Sequence, residues 1–373
     1  MAIPTEGAAP QRIVIKLGTS VLTNGTRQLS QRVMLELARQ IAHLHDTGYQ
    51  VILVTSGAIT AGREALNYPE LSSSLPIKQM LSAVGQGRLI RLYQELFGLF
   101  EIVVGQVLLT RGDIDNRTGY LNARDTLLTL LDQRVLPVIN ENDTIATDEI
   151  RVGDNDTLSA LVANLVDADL LILLTDQEGL YTADPRTTPS ATLIPVVERI
   201  DESIWALAGG TSTGLGTGGM LTKIRAAELA GRSGTTMVIA PGRLHGVLSL
   251  IVRGQPVGTR FPATVDHLES RKRWLLADRP QGTLSIDSGA ADRLCHGGAS
   301  LLPVGMVAVE GTFDRGAPVL VQSVNGQAIA VGLSNYDSED ASKLIRQQSA
   351  AIRDRLGYSY GDEIIHRDNL ALL

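Results

Sequence analysis

The chain has a single cysteine, Cys295, among its 373 residues, so no disulfide can form within it. That scarcity fits a reducing compartment. A lone cysteine reads as a small buried hydrophobe rather than a nucleophile. Positive charge is not in excess either. The 33 Lys and Arg are outnumbered by 40 Asp and Glu, for a net charge of −7, which excludes a general nucleic-acid footprint. No apolar run approaches the ~18 residues needed to span a bilayer. The six histidines show no metal-ligand spacing. The opening MAIPTEGAAPQR lacks an apolar core and reads as a loose tail, not a signal peptide. These absences leave a soluble, cytoplasmic protein as the expectation, with no membrane partner. Its length suits two or more domains at ~150 residues each.

What is present is alternation. Short apolar runs recur at RIVIKL (12–17), YQVILVT (49–55), EIVVGQVLL (101–109), RVLPVIN (134–140), ADLLILLT (168–175) and TTMVIA (235–240). Stretches with helical spacing lie between them, such as VMLELARQIAHLHDTG (33–48) and TLSALVANLVDA (157–168). Strands apolar on both faces, alternating with helices, predict an α/β domain: a largely parallel open sheet sandwiched by helices. We expect this domain over residues 1–262. A linker with a short helix follows over 263–280, within the Pro- and Gly-containing stretch 254–282. A small β-rich domain then spans 281–373, with a hairpin at Asn325-Gly326 and a helix within 338–357.

Open parallel sheets bind ligands beyond the carboxyl ends of their strands. In this chain those ends carry Lys16-Leu-Gly-Thr-Ser20, Ser56-Gly-Ala58, Asn140-Glu-Asn-Asp143 and Thr175-Asp176. Lys16 is out of keeping with its strand, which otherwise reads as buried, and a buried charge needs a partner. VGDNDTLSA (152–160) offers Asp154 and Asp156 at the start of a helix, with Asn155 between them. Asp156 can cap that helix, or it can hold lysines by charge-assisted bonds. Ser56-Gly57 precedes a helix whose first N–H groups can take an anion.

The stretch GLGTGGMLTKIRAAELA (214–230) has four glycines within six residues, Gly214, Gly216, Gly218 and Gly219, and then Lys223. Such a cluster marks close backbone approach, usually to phosphate. It is not a dinucleotide fingerprint, because no strand precedes it and no acid follows at the required distance. It is not a P-loop, because Lys223 precedes Ile224 instead of Ser or Thr. Two lysines on opposite sides of a phosphoryl group in flight would stabilise its spreading charge.

Taken together, IVIKLGTSVL, VTSGAITAGR, LLTRGDI, LNARDTL, PVINENDTIAT, VGDNDTLSALVA, LLTDQEGLYTADPR and GLGTGGMLTKIRAAELA resemble the amino-acid kinase family, and residues from about 281 to 359 resemble a PUA domain, a small β-rich barrel. The combination of VTSGAI, INEND, VGDND and GTGGMxTK with that tail is similar to the branch acting on the γ-carboxylate of L-glutamate. The tail argues against relatives of the same fold acting on aspartate, acetylglutamate, carbamate or uridylate.

The resemblance implies ATP-dependent formation of glutamyl 5-phosphate, the first step toward proline, with Mg2+ carried on the ATP phosphates and no metal ligand from the protein. By matching motifs, Lys16 and Lys223 would flank the phosphoryl group and Asp156 would organise them. Ser56, Gly57, Asn140, Asp143 and Asn155 would hold glutamate. Lys16, Gly18, Thr175, Asp176, Thr217, Gly218, Gly219, Met220 and Lys223 would hold nucleotide. It further implies feedback inhibition by proline, a homo-oligomer (dimer or tetramer), and hand-off of the labile product to glutamate-5-semialdehyde dehydrogenase. Some PUA domains bind RNA, but residues 281–360 carry a net charge of −2 (six Lys or Arg, eight Asp or Glu), which speaks against that use here.

Overall fold

The computed structural model describes residues 11–72, 74–146, 155–209, 219–276 and 279–373. They form two compact units. One holds the chain up to 114 together with 123–266, and the other holds 115–122 with 267–373.

The first unit is built on a seven-stranded sheet. Its strands are β1 (Arg12–Leu17), β2 (Gln50–Thr55), β3 (Val104–Leu109), β4 (Leu136–Glu141), β5 (Leu170–Thr175), β6 (Thr236–Pro241) and β7 (Thr259–Phe261). The order is β3-β4-β2-β1-β5-β6-β7. All neighbours run parallel except β7, which lies antiparallel on β6. The sheet is thus mostly parallel and flanked by helices, as the alternation predicts. The three-residue β7 is too short to register in the sequence pattern. The third strand begins at Val104 rather than Glu101, because Glu101 takes a left-handed φ of 58° in the turn that closes the preceding helix.

β1 is the pivot of this topology. The chain builds β2, β4 and β3 to one side of it, then crosses back to lay β5 and β6 on the other. That reversal opens a crevice at the carboxyl end of β1. The pleat divides the strand. Ile13, Ile15 and Leu17 join the core with the helices Gln31–Asp46 and Leu75–Gly98. Val14 and Lys16 face the opposite layer. There the helix Asn155–Leu165 crosses over β1, β2, β4 and β5 and packs on the helix Met220–Arg232.

The second unit has its own sheet. It comprises β8 (Gly282–Ile286), β9 (Met306–Glu310), β10 (Pro318–Ser323), β11 (Ala328–Leu333) and β12 (Leu370–Leu372), in the order β12-β11-β10-β8-β9. β10 and β11 form the expected hairpin: Gly326 takes φ 80°, and the Ser323 amide bonds the Gln327 carbonyl at 2.9 Å. The helix expected within 338–357 is broken into Ser338–Lys343 and Ile352–Leu356. Arg346 lies between them with φ 61°, a left-handed conformation that a right-handed helix cannot pass through. The segment 263–280 contains the helix His267–Leu276, whose Leu275 is fully buried. Cys295 is exposed, contrary to the expectation of a buried hydrophobe. No described helix is long and apolar enough to cross a membrane.

Candidate active site

The partner that Lys16 requires is Asp156. The lysine sits at the carboxyl end of the central strand and is 8% exposed; the aspartate is 2% exposed. Lys16 Nζ bonds Asp156 Oδ1 at 2.6 Å, and Lys223 Nζ bonds Oδ2 at 3.0 Å. Thr222 Oγ1 donates to the same Oδ2 at 2.7 Å. Asp156 is the second residue of its helix, past the cap position, and its carboxylate serves the two lysines. Burial by itself would raise its pKa. The two ammoniums and the hydrogen bonds from Lys16 and Thr222 overcome that and hold it well below the usual carboxylate range. One buried carboxylate between two buried ammoniums leaves a net positive charge, which an incoming anion can neutralise. Gly18 follows closely: a Cβ built on it would lie 3.8 Å from Lys16 Nζ, so its backbone borders the same point.

Lys223 also lines a cleft. Its other walls are Thr175, Asp176, Gln177, Gly179 to Tyr181, Ala183 to Arg186, Leu207, Gly219 and Met220. The polar floor is the end of β5, where Thr175 Oγ1 donates to Asp176 Oδ1 at 3.1 Å. Leu180, Pro185, Leu207 and Met220 supply apolar surface. The Met220–Arg232 helix begins here on Gly219, with no side-chain cap, so its first amides are available to an anion. Gly179 is required by space: a Cβ would meet Thr259 Oγ1 at 2.5 Å.

A second polar group lies at the ends of β2 and β4. Asn155 Nδ2 faces the Thr55 carbonyl oxygen at 2.8 Å, Ser56 Oγ at 3.0 Å and Asn140 Oδ1 at 3.0 Å. The Thr55 carbonyl can only accept, which fixes the amide's orientation. Asn155 Oδ1 is then left buried with no partner among the described residues. Such an atom is costly unless a ligand satisfies it. Gly57, next to Ser56, takes φ 102° and starts the helix Ala58–Ala65. Asp143 accepts from Ser82 Oγ at 2.5 Å, and burial raises its pKa despite that bond.

Of the residues singled out in the sequence, Lys16, Asp156 and Lys223 meet directly. Asn140, Asn155 and Ser56 form one hydrogen-bonded group, with Gly57 adjacent. Thr175, Asp176, Gly219 and Met220 share the cleft with Lys223. Asp143 bonds Ser82 instead of joining the Asn155 group. Thr217 and Gly218 lie outside the described residues, as do Asp154, Gly214 and Gly216. The sequence expectations passed over Thr222, Tyr181, Leu207, Ser82 and Gln86. Thr222 was signalled only by its place beside Lys223. Ser82 and Gln86 were signalled by polar residues standing at core spacing in a helix. Among the described residues, no group of three His, Cys, Asp or Glu is arranged to hold a metal.

Two buried lysines on one carboxylate thus stand at the switch point of a parallel sheet, beside a cleft walled by a helix that begins on glycine. The amino acid kinase family matches residues 11–241 and the PUA domain matches residues 282–356. The chain belongs to the amino acid kinase family and carries a PUA domain C-terminal to its kinase domain in the sequence. Its relatives include the glutamate 5-kinases of Sodalis glossinidius, Herpetosiphon aurantiacus and Deinococcus radiodurans. Each is 54% identical, over 97%, 96% and 97% of this chain and 99%, 97% and 100% of the relative, respectively.

Proposed function

We propose that the protein transfers the γ-phosphoryl group of ATP to the γ-carboxylate of L-glutamate, making L-glutamyl 5-phosphate. The observation that carries this is the buried Lys16–Asp156–Lys223 cluster opening on the cleft. It combines positive charge with a group that holds the charge in place. The likeness over nearly the whole chain to glutamate 5-kinases supports the choice of acid.

The nucleotide lies in the Thr175–Lys223 cleft. Its base packs on the apolar side chains, and its phosphates meet Lys223 and the first amides of the Met220–Arg232 helix. Mg2+ would arrive with ATP as part of the substrate. Glutamate lies at the β2 and β4 ends. Its α-ammonium donates to the unpaired Asn155 Oδ1 and faces the Asp143 carboxylate, while Ser56 and the amides beyond Gly57 take a carboxylate.

In the reaction a γ-carboxylate oxygen forms a bond to the γ-phosphorus, the bond to the β–γ bridging oxygen breaks, and ADP leaves with that electron pair. A carboxylate is already a nucleophile, so no general base is required. The barrier is lowered by alignment and by the two ammoniums meeting the charge that spreads over the transferring oxygens. Asp156 keeps both lysines extended toward that point. The acyl phosphate is labile and suits consumption by a following reductase on the way to proline. Proline, an α-amino acid itself, competes at the Ser56–Asn155 group.

The test is ATP-dependent hydroxamate formation, with hydroxylamine trapping the acyl phosphate. L-glutamate, L-aspartate and N-acetyl-L-glutamate run in parallel, with and without proline. Product with glutamate alone is expected. Product only with another acid overturns the substrate assignment, and no product from folded protein with MgATP overturns the activity.

A further inference from the structure

The helix Leu75–Gly98 carries an inward-facing seam that changes character along its length. Toward its end the seam is mostly apolar, with Leu89, Tyr93 and Leu96. At its start the same seam reads Gln79, Ser82 and Gln86, spaced as i, i+3 and i+7 on one face. Ser82 is buried and the two glutamines are half-buried; polar groups so placed are costly unless bonded, and all three are bonded to one short segment. Gln79 Nε2 donates to the carbonyls of Thr144 and Ala146, each at 3.3 Å. Ser82 Oγ donates to Asp143 at 2.5 Å. Gln86 Oε1 accepts from Asn140 Nδ2 at 2.8 Å. The helix thus grips the chain from 140 to 146 at four successive points.

It also grips the other half of the amino-acid site. A Cβ on Gly85 would lie 1.8 Å from the Ala58 carbonyl oxygen and 2.4 Å from the Gly62 amide nitrogen. The helix therefore meets the Ala58–Ala65 helix backbone to backbone, at the turn that begins on Ser56-Gly57. Gly85 stands beside Gln86 in the chain, so the contact to one half of the site and the contact to the other are made by adjacent residues.

We propose that Gln86 is a positioning residue for the amino-acid substrate, acting through Asn140 on Asn155. Asn140 must turn its Oδ1 to Asn155 Nδ2, which leaves its own Nδ2 in need of an acceptor. Gln86 Oε1 is that acceptor. Without it the Asn140 amide can rotate and set its Nδ2 against the Asn155 Nδ2, donor facing donor. The Thr55 carbonyl opposes any compensating flip of Asn155. The clash instead pushes the whole Asn155 side chain aside and displaces its Oδ1, the buried acceptor of this group that has no partner among the described residues. What the position requires is an acceptor, not a glutamine.

The inference rests on the glutamate assignment, and its test separates the two. In the full-length protein, Gln86→Met keeps the unbranched length and removes the acceptor, whereas Gln86→Glu keeps an acceptor. Loss of this one half-buried hydrogen bond should raise KM for glutamate about tenfold. In Gln86→Met, KM for ATP and kcat should stay within about twofold, and Gln86→Glu should retain the wild-type KM for glutamate. Added to Asn140→Ala, Gln86→Met should change KM no further. Gln86→Ala serves as the second variant lacking an acceptor if the methionine protein does not fold. Two results would overturn the positioning role: an unchanged KM for glutamate in the acceptor-less variants, or equal losses in Gln86→Glu and Gln86→Met. A wild-type protein inactive on glutamate would instead overturn the substrate assignment.

Discussion

Asp156→Asn is the most informative single perturbation. In the wild type one buried carboxylate accepts from Lys16 at 2.6 Å, Lys223 at 3.0 Å and Thr222 at 2.7 Å. Both lysine side chains are only 9% exposed. The amide has the same shape but carries no charge, so one oxygen can serve one lysine while the NH2 group faces the other, donor against donor. Removing one partner of a buried ion pair costs about 3–5 kcal/mol, and the lower end is expected here because one lysine keeps an acceptor. The same displacement misaims at least one ammonium at the transferring phosphoryl group. Loss of one such donor costs about 3 kcal/mol in the barrier, or about a hundredfold in kcat.

Two assays apply: hydroxamate turnover at saturating glutamate and MgATP, and urea unfolding with pH. The sign of the pH effect follows from the lowered carboxyl. Its stabilising contribution is fully present above the ordinary value of 3.8 and fades as pH falls below it. The stability gap between wild type and variant should therefore be constant near neutrality and narrow below pH 3.8. A variant turning over within about threefold of wild type, or a gap that does not narrow in acid, would refute the reasoning.

Lys16→Ala and Lys223→Ala should each lose at least about 3 kcal/mol of transition-state stabilisation and still fold, since Asp156 keeps one lysine; steady-state kinetics beside circular dichroism checks this. Burial raises the pKa of Asp143, so it ionises late as pH rises and opposes folding once charged. KM for glutamate should fall as pH rises through that titration. Asp143→Asn should be at least as stable as wild type at pH 7, with a higher KM that no longer follows pH; a KM profile unchanged by the substitution would count against the ammonium contact. Gly85→Ala should destabilise by at least about 1–3 kcal/mol, because its Cβ would strike backbone at Ala58 and Gly62; urea unfolding with wild-type stability would contradict the close helix crossing.

Much of the fold is periodic and therefore local. Runs such as RIVIKL and LLILLT are buried strands in almost any context, and the helical spacing between them forces parallel connections. The charge inside RIVIKL was legible as an anomaly that demands a partner. The combination of motifs at the strand ends is specific to the amino acid kinase family. The three-residue strands β7 and β12 were illegible, since so few residues carry no period, and the break at Arg346 was hidden inside a helical pattern.

What the sequence determined by itself was the layer architecture, the edge of the sheet where polar residues gather, and the residue types available for chemistry there. Which of those residues meet was decided by the tertiary structure. Asp156 lies 140 residues from Lys16 and 67 from Lys223 in the chain. They converge because the strand order reverses at β1 and carries the Asn155–Leu165 helix across it. Gln86 lies 54 residues from the Asn140 it bonds, on a helix whose Gly85 packs against the Ala58–Ala65 helix. Contacts of that range depend on how whole elements pack, and no local pattern encodes them.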